Sequence, residues 1–175
     1  MKKALILTLA LSLAACGDSA PDTPPTEAPA SANQTPAPEP SANDAPASDI
    51  ALRPIVYDQF SPLIESGLGC SFEDAGGNLL FVATAPDEGG ATAEGVIDSG
   101  SGARVVEADR AGGYSALVEG GSFTGASETT VTVTRESGEG TPGEIETTAW
   151  PARLVVRGEG GGQRAYDGGQ WACGA

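Results

Sequence analysis

The chain has 175 residues and a formal net charge of −15, with 24 Asp and Glu against 9 Lys and Arg and no His. Its only lysines are Lys2 and Lys3, so every later base is Arg. This excludes Ser-His-Asp, Cys-His and Ser-Lys nucleophiles, Schiff-base chemistry and conventional His zinc sites, and so acidic a surface repels nucleic-acid phosphates.

Lys2 and Lys3 precede the apolar run Ala4-Leu5-Ile6-Leu7-Thr8-Leu9-Ala10-Leu11, and Ser12 leads into Leu13-Ala14-Ala15-Cys16. A short positive region, an apolar core and small residues make the layout of a secretory signal. The run is shorter than the roughly 20 residues that a membrane-spanning helix needs. Residues 13–16 resemble the lipobox of bacterial lipoproteins. The resemblance implies that residues 1–15 are removed and that Cys16 carries a diacylglycerol thioether and an N-acyl chain such as palmitate. Several acyl chains together hold a protein to a membrane lastingly. The family's sorting rule implies a periplasm-facing position on the outer membrane, while Asp18 leaves the inner membrane open.

With residues 1–15 removed, 7 Arg stand against 24 acids. Residues 16–49 read as the lipidated Cys followed by a tether. Residues 17–49 hold 8 of the 13 prolines and six acids without a base or an aromatic ring. Low hydrophobicity and one-sided charge cannot offset the entropy of ordering, so a disordered, extended spacer is expected.

Residues 50–175 read as one all-β domain of about eight short antiparallel strands, closed as a small barrel or packed as a sandwich. In residues 52–68, Tyr57, Phe60, Leu63, Ile64 and Leu68 fall at helical spacing and Ser61-Pro62 could open a turn. One short helix or an irregular wrap over an open end of the sheet is expected there. Strands follow at residues 70–72, 78–85, 93–98, 103–108, 114–119, 122–125, 128–135, 152–157, 163–166 and 170–173. The clearest is 128–135, where Val131 and Val133 alternate with Thr130, Thr132 and Thr134. Glycine-rich turns at 75–78, 87–90, 98–102 and 158–162 separate them.

With Cys16 committed to lipid, Cys70 and Cys173 remain as a pair in an exported protein, where disulfides persist. One lies in the first strand and the other ends the last. A bond between them requires Cα atoms within about 7 Å, so the first and last strands must be neighbours.

The remaining chemistry is that of carboxylates. Glu73-Asp74, Asp87-Glu88 and Glu107 with Asp109 could supply an acid–base pair or calcium ligands, but neighbours on a strand face opposite ways and the others sit in turns that favour Asp. No calcium loop or phosphate-binding motif occurs, and Gly158-Glu159-Gly160-Gly161-Gly162 has no helix signal or Lys after it. No enzymatic activity, metal or cofactor is expected. Phe72, Phe81 and Phe123 read as core. Trp150, Trp171, Tyr114 and Tyr166 read either as packing around the disulfide and a barrel end, or as an aromatic platform that stacks on a sugar.

The closing residues Tyr166-Asp167-Gly168-Gly169-Gln170-Trp171-Ala172-Cys173-Gly174 resemble the ends of small envelope lipoproteins that finish in Trp-x-Cys-Gly, which implies no activity. The tethered, disulfide-bonded β-domain is also similar in architecture to membrane-bound inhibitors of c-type lysozyme, although their Ser-containing loop and Tyr/Lys-rich pattern are not evident. The sequence therefore points to a non-enzymatic envelope binding module with a basic protein or a glycan as partner. The alternatives are an inhibitor of a basic lysozyme-like enzyme, or an accessory domain that binds glycan or calcium.

Overall fold

The computed structural model describes residues 50–143 and 146–174. The expectations for the signal, for Cys16 and for the tether lie outside these residues.

Turn chemistry sets the first hairpins. Strands β1 (Gly69–Glu73) and β2 (Leu79–Thr84) are joined where the Asp74 carboxylate accepts the Gly76 and Asn78 backbone N–H groups at 2.8 and 2.9 Å. Chiefly through the Asn78 N–H, these bonds hold the Asp74 carboxyl below its ordinary value. Between β3 (Thr92–Asp98) and β4 (Ala103–Ala111), Asp98 accepts the N–H groups of Gly100 and Gly102 at 2.7 and 3.2 Å. Both are Asx-type turns, in which a short carboxylate substitutes for a backbone acceptor. Between β5 (Gly120–Gly125) and β6 (Thr130–Arg135), Ser127 and Glu128 both take positive φ, 57° and 54°. The strand expected from residue 128 therefore starts at Thr130. Two-residue strand β7 (Thr141–Pro142) precedes β8 (Thr148–Arg157) and β9 (Gln163–Gly174).

Every pairing between strands is antiparallel. The chain winds in order from β1 to β6, β6 pairs with β8, β8 with β9, and β9 with β1. Eight strands thus close a barrel, with β7 an extra strand beside the start of β8. Closure settles the barrel-or-sandwich alternative. It also brings the first and last strands together: Cys70 and Cys173 are direct register partners, disulfide-bonded, with Cα atoms 4.0 Å apart.

Several strands run further than the sequence pattern suggested, β4 to Ala111 among them. β9 is continuous where residues 163–166 and 170–173 read as separate pieces. β8 extends back through Pro151, which stands where its neighbour changes from β7 to β6, a place where a missing N–H is tolerated.

The interior is filled by side chains, as eight strands allow. Phe81, Phe72 and Trp171 are successive cross-strand partners on β2, β1 and β9, and none has measurable exposure. Phe81 stacks on Trp171 with centroids 5.9 Å apart and meets Phe123 edge-on at 4.9 Å. Glycine makes room for this row. A Cβ on Gly95 of β3 would collide with the Phe81 ring, and one on Gly169 of β9 with the Phe72 ring.

Each barrel end has its own cover. At one end the N-terminal strap runs past the strand ends, with Arg53 N–H donating to Asp98 O at 2.8 Å and Ile55 N–H to Leu79 O at 2.9 Å. Leu52 packs into the core there. The strap then makes one helical turn, α1 (Tyr57–Phe60), and passes along the outside of the barrel to the start of β1. Helix formation therefore ends at Ser61-Pro62 rather than starting there. The other end is closed by α2 (Gly113–Val118), where a strand over residues 114–119 was expected. Tyr114, Ala116 and Val118 alternate, yet Tyr114, Leu117 and Val118 also fit a helical face, and six residues cannot separate the two periods. Gly112 and Gly113, with φ of 149° and 59°, decide it by turning the chain, and Leu117 then points into the barrel.

Replacement Gly95→Val is expected to cost about 1–3 kcal/mol by forcing the Phe81 ring aside, measured by urea unfolding. Glu128→Gly should stabilise by about 1 kcal/mol, because glycine has no penalty in the left-handed region. Reduction of Cys70–Cys173 should lower the unfolding free energy by about 2–5 kcal/mol.

Candidate functional site

A packed interior leaves the outer wall as the place for a ligand. Where the strap crosses it, the outward residues of β1, β2 and β9 are mostly small: Gly69, Ser71, Thr84, Ala172 and Gly174. Small side chains leave the space between strap and sheet unfilled, as a groove of about 350 Å³. Tyr57, Phe60 and Ile64 form its apolar side, and Val82 lies in its floor. The Tyr57 and Phe60 rings meet edge-on with centroids 5.4 Å apart, and Tyr57 is 68% exposed. Tyr57 thus leaves an aromatic face open at the lip beside the half-buried Phe60, and Tyr is among the residues that most often anchor interfaces.

A second recess of about 420 Å³ adjoins the first and shares Glu65, Ser66, Gly67 and Thr84 with it. Its chemistry is acidic: Glu65, Asp87, Glu94 and Glu107 line it, and each is exposed. Neither of the ion pairs among the described residues, Arg135–Glu119 at 2.5 Å and Arg153–Asp167 at 2.7 Å, involves these four. Among the described residues, no group of three or more Cys, Asp or Glu is placed to hold a metal ion.

The four aromatic residues read from the sequence as a platform do not share one exposed face. Trp171 is fully buried in the barrel and donates its Nε1–H to Leu117 O at 3.3 Å, so it offers no face to a ligand. Trp150 is its register partner on β8, half-buried, with Nε1–H donating to Gly138 O at 3.0 Å and the Arg135 guanidinium 4.6 Å from its ring centroid. Tyr114 sits on α2, and burial raises its phenol above the ordinary value. Tyr166 is near the opposite end, where its hydroxyl accepts the Leu52 N–H at 2.6 Å and pins the strap. Cys70 contributes to the groove lining from the disulfide end.

The carboxylates considered for catalysis are also apart in role. Asp74 is spent on its turn and its carboxyl is lowered, the opposite of what a general acid requires. Asp109 accepts the Thr124 hydroxyl at 2.7 Å. Comparison with protein-family models, curated proteins and solved structures found no match for this chain.

Tyr166→Phe should release the Leu52 amide. Its hydrogen exchange is expected to accelerate, with a loss of about 1 kcal/mol in stability, while exchange in β1 and β9 should change only through that global loss.

Proposed function

We propose that this protein is a non-enzymatic lipoprotein of the bacterial cell envelope whose β-domain binds a partner through the groove on its outer wall. The observation that carries the binding reading is the groove itself. The barrel interior is occupied by Phe72, Phe81, Phe123 and Trp171, whereas the outside presents an open recess flanked by the exposed ring of Tyr57 and the half-buried ring of Phe60. Residues 2–16 support the envelope address through their signal layout and Cys16. A Pro-rich, acidic segment between Cys16 and the barrel suits display at a distance from the bilayer.

Two measurements test this reading. In the bacterial host, radiolabelled palmitate should enter the wild-type chain and be absent from Cys16→Ser, which should also leave the membrane fraction. A photo-cross-linking residue at position 57 or 82 should trap a discrete envelope partner, while the same residue at position 105, on β4, should not. Equal or absent adducts at all three positions would remove the groove as a binding site.

A further inference from the structure

We infer that the groove and the acidic recess together receive a cationic segment of a protein partner, one that presents an apolar side chain beside Lys or Arg. This rests on the proposed binding function and specifies its ligand. Continuity is the first ground: the two recesses share Glu65, Ser66, Gly67 and Thr84, so a single segment can occupy both.

The second ground is a charge arrangement that the barrel does not neutralise itself. Glu94 and Glu107 are direct register partners on β3 and β4. Like charges placed opposite each other on a sheet destabilise it. Glu65 and Asp87 add to the same recess, and no Arg lines either recess. Elsewhere on the barrel the acids at 119 and 167 have been given arginine partners. A cation from outside would relieve the Glu94–Glu107 repulsion on binding.

The third ground is complementarity of the neighbouring surface. Tyr57, Phe60 and Val82 offer apolar contact next to the carboxylates, and Gly69, Ala172 and Gly174 allow a backbone to come close. A purely polar cation would leave the groove unused. An anionic partner, or a second copy of this acidic chain, would add to the repulsion.

The test is isothermal titration of the full chain in detergent with a short peptide alternating Lys and Leu, beside Glu–Leu and Lys–Ser counterparts. The Lys–Leu peptide is expected to bind with an affinity that falls as salt rises. Lys–Ser should bind about tenfold more weakly and Glu–Leu not detectably. Glu94→Gln combined with Glu107→Gln should weaken Lys–Leu binding about threefold to tenfold. That double variant should also melt at a higher temperature, since it removes a repulsion, so weaker binding could not be ascribed to misfolding. Tyr57→Ser, at an exposed position, should weaken binding while flattening the salt dependence little.

Unchanged affinity in both variants, or equal binding of Glu–Leu, would overturn the inference. If the Lys–Leu peptide is ignored while cross-links still form at positions 57 and 82, the cationic ligand is wrong and the binding function stands. Loss of those cross-links instead removes the binding function itself.

Discussion

The pairing of β1 with β9 is the contact on which the rest of the structure depends. Without it the chain would be an open meander whose first and last strands each exposed a row of unpaired N–H and C=O groups, a template for aggregation. Forming it requires residues 103 positions apart to meet, and the entropy of that closure opposes the pairing in the absence of a covalent tie. Cys70 and Cys173 supply the tie at register partners in the seam itself. Its placement favours one register: a one-residue slip would turn either Phe72 or Trp171 outward as well as separating the sulfurs.

Once the seam is closed, the interior becomes a question of volume. Aromatic rings on three adjacent strands need more room than a small barrel provides if every inward position carries a side chain. Glycine at 95 and 169 supplies that room, each lying against one ring. These glycines are packing residues rather than turn residues. Large and small side chains are thus matched across neighbouring strands, which fills the barrel and moves any recognition to its surface.

Most of the architecture was legible in residue patterns. Alternation at Val131 and Val133, Asp-Gly turn chemistry at 98–102 and the cysteine pair led to the strands, a turn and the seam. The exceptions have physical causes. Residues 114–118 satisfy two periods at once, and tertiary position at a barrel end selected the helix. Pro151 looked like a strand boundary because its tolerance depends on which neighbour lies beside it. Trp171 was read as a candidate ligand face because sequence position near a cysteine says nothing of which way a strand faces until the register is known. The groove was the least legible feature. Tyr57, Phe60 and Ile64 were visible as an apolar face, but what they face is set by a strap crossing small residues from strands far away in sequence.

That strap also gives the domain polarity. The described chain begins at Ile50 against the end of the barrel that holds the 98–103 and 157–163 turns, with Ile50 beside Gly158. The Asp87 loop lies at the other pole, where β2 ends and β3 begins. Ile50 and Asp87 therefore lie at opposite ends of the barrel, with Glu94 and Glu107 between them along β3 and β4. A molecule bound at the Asp87 loop would therefore touch the barrel at the end remote from Ile50 and leave the Leu52–Tyr166 contact undisturbed.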